Sequence, residues 1–175
     1  MIRDTQRSKV YKWDGTLPHK TLTLEEGKAL VTRACRRYSK AIPFIANGRG
    51  TRIAYGSVTR ISLPKWARTD ITILHEVAHS IVQKELRYSV AFHGPEFMRV
   101  FIELLVWNKT DTLSNLLKSA RIFRLKIGKI ESHPKPIDFR KSLMHDIDRY
   151  IIEPYTKRYQ VSPTEIRRII KQRLK

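Results

Sequence analysis

Apolar residues recur at helical spacing in several stretches of the chain, with shorter strand-like runs between them. From Leu22 to Lys40, the positions Ala29, Leu30, Ala34 and Tyr38 follow one helical face, with Thr23 as N-cap and Glu26 completing a capping box. The opposite face, carrying Arg33, Arg36, Arg37 and Lys40, is expected to meet water. A second helix is predicted after Thr69 or Asp70, either of which offers an N-cap, because Leu74, Val77, Ala78, Ile81 and Val82 recur at the same spacing. A third follows Gly94: Pro95 suits the first helical position, and Phe97, Val100, Phe101, Leu104 and Leu105 form a stripe.

Between Ile42 and Pro64 the pattern shortens to two β-like runs, Arg52 to Tyr55 and Val58 to Leu63, punctuated by Gly48, Gly50 and Gly56. These predict a small sheet packed beside the second helix. Val58 to Leu63 reads either as an edge strand able to pair with an extended peptide or as an internal strand already paired on both sides. Residues 1–20 read as irregular or strand-like, anchored by Tyr11 and Trp13. Thr112 to Ala120 reads as a short helix capped by Asp111, and Ile122 to Ile130 alternates apolar and basic residues like a strand.

Two prolines in the run Ser132-His133-Pro134-Lys135-Pro136 mark residues 132–137 as a linker between a core, 1–131, and a basic helical extension, 138–175. In the extension, Leu143, Met144, Ile147, Tyr150 and Ile151 share a side before Pro154. A last helix begins at Ser162 with Pro163 and Glu165 behind it. The stretch 155–170 resembles a helix-turn-helix with a basic second helix; packing of that helix on the core or on a partner is the alternative. Arg167, Arg168, Lys171 and Arg173 are its candidates for phosphate contacts. The elements together predict an α+β fold.

Charge adds a partner class. Thirty-five lysines and arginines against sixteen acids leave a net charge of +19, a field that attracts polyanions such as nucleic acid. Residues 1–108 hold eighteen basic and nine acidic residues (+9) and 109–175 hold seventeen and seven (+10), so the tail is the more densely basic part. The single cysteine, Cys35, excludes an intramolecular disulfide, and no apolar run approaches the length of about eighteen residues needed for a membrane span. With no signal-peptide pattern at Met1-Ile2-Arg3-Asp4, a cytoplasmic protein is expected.

The chemistry is concentrated in His75-Glu76-Val77-Ala78-His79 and in His93, thirteen residues further on. Residues four apart project side by side from a helix, so His75 and His79 can hold one metal ion. His93, at the entrance of the third helix, is the candidate third ligand, and three protein ligands leave the open position typical of a catalytic zinc site. Glu76, beside the first ligand, is placed to act as general base on water. Glu96 is a weaker alternative as a ligand and is expected instead to cap the helix or to support His93.

His75-Glu76-x-x-His79 with His93-Gly94-x-x-Phe97 resembles the SprT-like zinc metallopeptidases. Arg3-Asp4-x-Gln6-Arg7-x-x-Val10-Tyr11 and Leu63-Pro64-x-Trp66-Ala67-Arg68 are similar to uncharacterised metallohydrolases of actinobacteria and phages, so the likeness spans roughly residues 1 to 130. The resemblance implies a compact zincin core, a Zn2+ cofactor, hydrolysis of peptide bonds in protein substrates and, as in members that degrade DNA-crosslinked proteins, association with nucleic acid. With one cysteine the chain departs from the members that carry a cysteine-rich zinc ribbon. Two other classes stay open: a DNA-binding regulator of phage type in which zinc only holds the fold, and a zinc hydrolase of small amides or cell-wall peptides.

Overall fold

A computed structural model describes residues 3–86, 90–129, 156, 162–164 and 166–168. The chain divides into two compact units, 1–134 and 135–175. The described residues of the first hold five α-helices, a short 3-10 turn and a small sheet, a mixed architecture compatible with the expected α+β class. Among the described residues no helix is long and apolar enough to cross a membrane.

The helices are α1 (Arg7–Asp14), α2 (Leu24–Arg37), α3 (Asp70–Leu86), α4 (Pro95–Trp107) and α5 (Leu113–Ile122). The starts of α2, α3 and α4 are built by the expected residues. The Thr23 hydroxyl accepts from Glu26 N while the Glu26 carboxylate accepts from Thr23 N, and Thr69 Oγ1 accepts from Thr72 N at 3.1 Å ahead of α3. Pro95 occupies the first turn of α4. α3 packs on α2, on α4 and on the sheet, and its Ile73, Leu74, Val77, Ala78 and Ile81 are buried among Leu30, Ala34, Phe97 and Phe101.

The sheet has three short strands, β1 (Phe44–Ala46), β2 (Tyr55–Gly56) and β3 (Arg60–Ser62), in the order β1-β3-β2. β1 runs parallel to β3 with Phe44 beside Arg60, and β2 runs antiparallel with Gly56 beside Ile61. The run Val58 to Leu63 is therefore not an edge: its ordered part, β3, is paired on both sides and presents no free backbone to a peptide. Only Tyr55 of the run Arg52 to Tyr55 joins the ladder, and β1 replaces the remainder.

Three other expectations are corrected. The N-terminal segment is helical, because Val10 and Trp13, three residues apart, are both fully buried; the remaining α1 positions are too polar for periodicity to signal it. After α5 there is no strand over 123–129. Arg124 takes a left-handed conformation (φ 53°), Leu125 enters the core, and the amides of Lys126 and Gly128 bond singly to Gln6 Oε1 and Pro95 O. Lys40, expected in water, is buried with its ammonium donating to Ser80 Oγ and Val58 O. Smaller shifts affect α5, which is capped by Thr112 and runs to Ile122.

In the second unit, residues 163–164 and 166–168 are helical, and Ile166 N donates to Ser162 O. Arg167 and Arg168 belong to this turn. Lys171, Arg173, the 132–137 linker, the turn at Val161 and the 138–152 helix lie outside the described residues.

Candidate metal centre

α3 carries His75 and His79 one turn apart, and the turn before α4 brings His93 back over them. His75 Nε2 lies 3.1 Å from His79 Nε2 and 3.2 Å from His93 Nε2. For three nitrogens bound at the usual Zn–N length in tetrahedral geometry the expected separation is about 3.3 Å. All three histidines are buried, His75 to 2% exposure.

The outer nitrogens fix the inner ones. His75 Nδ1–H donates to Asp14 Oδ2 at 3.1 Å, and His93 Nδ1–H donates to Asp4 Oδ2 at 2.6 Å. A neutral imidazole that donates through Nδ1 has a bare lone pair at Nε2. Burial, with His93 as a secondary cause, depresses His75 to about 3, and burial lowers His79 and His93 as well, so all three are held neutral. Lone pairs of His75 and His93 thus face each other at contact distance, an arrangement that a cation relieves and that two acceptors alone do not favour. By this chemistry the donor set fits a metal ion.

Aromatic packing sets the ring planes. Tyr11 of α1 stacks on His75 with ring centres 5.3 Å apart and planes within 14°, while Phe97 of α4 lies 4.5 Å from His79. The rim reaches solvent at Tyr11 and at Phe92, both exposed and both against a histidine ring.

Glu76, 5% exposed, follows His75 on the helix. Burial raises its carboxyl to about 7, against a hydrogen bond from the Gly56 amide that stabilises the carboxylate. Gly56 is required by contact: a Cβ there would lie 2.0 Å from the carbonyl oxygen of Glu76. β2 therefore lies directly on the helix at this residue.

Of the predicted site residues, the structure brings His75, His79 and His93 together, with Glu76 next to them on α3. Glu96 stands in the first turn of α4, and the support of His93 expected of it comes from Asp4. Sequence reasoning missed Asp4, Gln6, Asp14 and Gly56. Gln6 Nε2 donates to His93 O at 2.6 Å and to Lys126 O at 3.1 Å, tying the N-terminal segment to the ligand turn. Asp4 and Gln6 belong to the stretch that carries the resemblance, and Gly56 interrupts a β-like run, a mark of close backbone approach. Asp14 has no such signal. Compared with known proteins, the chain matches no protein family, no curated protein and no solved structure.

Proposed function

We propose that the chain is a zinc-dependent metallopeptidase of SprT-like type, with a zincin-like core acting in the cytoplasm on protein substrates and in association with nucleic acid. The reading is carried by one observation: three buried, neutral imidazoles converge through Nε2 next to a buried carboxyl poised near neutrality.

His75, His79 and His93 would hold the ion, and Asp14 and Asp4 hold two of those rings in the binding tautomer. When bound, Zn2+ supplies Lewis acidity, polarising a carbonyl and lowering the pKa of water. Glu76 does the proton work: its carboxylate accepts a proton from the attacking water and returns it to the leaving amine. The Gly56 amide fixes that carboxylate and keeps part of its charge available for the transfer.

The deciding measurement is cleavage of an unfolded protein by Glu76→Gln, alongside its zinc content. Cleavage should fall at least about a hundredfold, the usual weight of a general base, while zinc stays stoichiometric. Undiminished cleavage would end the proposal. Salt-sensitive DNA binding with no cleavage by either protein would favour the regulator with a structural zinc.

A further inference from the structure

The sheet has a second face, and it borders an open groove of about 660 Å3. Side chains alternate along a strand, so buried Ile61 points to the core while Arg60 and Ser62 point the other way. Phe44 stands beside Arg60 across one ladder and Tyr55 beside Ser62 across the other, which places Phe44, Arg60 and Tyr55 on the groove face. Both rings are open to water, Phe44 at 66% and Tyr55 at 41%. The Arg60 guanidinium lies 5.6 Å from the Phe44 ring centre. Lys28 of α2 and Arg49 of the β1–β2 connection complete the charged lining. Trp66, also exposed, donates from Nε1 to the backbone of the groove residue Thr51.

Charge here has one sign. Between Glu26 and Asp70 the sequence contains ten lysines and arginines and no aspartate or glutamate. The groove lining likewise holds three cations and no carboxylate. Lys28 pairs with Glu25 at 2.8 Å on its outer side, so Arg49 and Arg60 are the main donors toward a ligand. Exposed aromatic faces interleaved with cations match a polymer that offers flat π-surfaces and a regular row of negative charges. A duplex keeps its bases stacked on one another, and an acidic peptide offers no series of flat rings.

We propose that this groove binds single-stranded nucleic acid, with bases stacked on Phe44 and Tyr55 and phosphates held by Arg49 and Arg60. The site requires neither the metal centre nor the basic residues after 137, and it stands apart from the peptidase reading. It locates nucleic-acid contact in the core, on the same sheet that touches Glu76 through its other face.

Fluorescence anisotropy of the full-length protein with labelled oligothymidylate and oligouridylate of about a dozen nucleotides tests this, with a hairpin duplex as competitor. Single strands should be preferred over duplex by about tenfold or more, and the two labelled probes report whether DNA or RNA is favoured. Phe44→Ala and Tyr55→Ala should each weaken binding about five- to a hundredfold, the weight of one stacked base, whereas Phe44→Tyr retains it. Arg49→Ser should flatten the dependence of log K on log salt by about 0.7. Unchanged melting temperatures confirm that these surface variants fold. The site is refuted if both alanine variants bind like wild type, if duplex binds equally well, or if Arg167→Ser/Arg168→Ser abolishes the single-strand preference. Lost protein cleavage with intact oligonucleotide binding in Phe44→Ala would instead assign the groove to peptide.

Discussion

Burial acts in opposite senses on the acids Asp14 and Glu76 and on the histidines beside them. Burial lifts the Asp14 carboxyl to about 7 and the Glu76 carboxyl to about 7, while His75 is pushed down to about 3. An arriving dication favours ionised carboxylates and requires neutral imidazoles. Burial lowers all three histidines, so near neutral pH they already meet that requirement and release few protons on binding. The carboxyls do not meet it below about 7, and zinc affinity should therefore rise as pH goes from about 6 to about 8. Competition titrations with a chromophoric chelator at three pH values measure this slope. Asp14→Asn should flatten it, and a midpoint near 6.5 unaffected by that change would place the proton release on histidine instead. The placement of His75, Glu76 and His79 was legible because helical periodicity alone puts two imidazoles side by side. Asp14 was not legible, since a carboxylate 61 positions away becomes a partner only through folding.

At the scale of elements, the contact of β2 with α3 is the one most sensitive to a single methyl group. Backbone meets backbone at Gly56, and a Cβ would fall 2.0 Å from an oxygen with no flexible side chain to yield. Gly56→Ala should cost about 1–3 kcal/mol in denaturant unfolding and shift the amide away from Glu76. The proposed peptidase activity should then drop more than zinc content does; equal zinc and equal activity would show that the amide has no part in placing Glu76. Helices α2, α3 and α4 were readable because each has a start signal, a cap or Pro95, and a stripe long enough to fix the period. α1 was not readable, because only Val10 and Trp13 of its eight residues are buried. β3 fell inside an expected run, whereas β1 was missed and β2 only touched, because two- and three-residue ladders are too short to show alternation.

For the whole molecule, the three-histidine cluster joins segments that are distant in sequence, so metal binding there would be coupled to folding. Asp4, Gln6 and Asp14 reach the ligands from the N-terminus, α3 and the α4 turn supply the imidazoles, and Gln6 ties the chain at Lys126 to the same turn. Without metal, Asp14 has a folded pKa above its unfolded value of 3.8, so the folded state holds the extra proton and stability falls as pH rises from about 4 to about 7. Zinc opposes that loss. At a hundredfold excess over Kd it should add about 2.7 kcal/mol, or about 5–10 °C in Tm, at neutral pH, and scanning calorimetry with and without chelator measures the shift. His93→Ala should remove most of the increment; an undiminished shift would mean that His93 is not a ligand. The sequence by itself determined the helix that carries His75 and His79, its neighbouring helices and which histidines are candidates to meet, because these rest on local periodicity, caps and spacing. Only the tertiary structure decided which carboxylates orient the rings, which glycine touches the base, that Val58 to Leu63 is internal, and that Phe44, Tyr55 and Arg60 share one face. The physical reason is range: helix periodicity and capping act within a few residues, whereas the ring partners and strand order come from contacts between distant segments that no local pattern encodes.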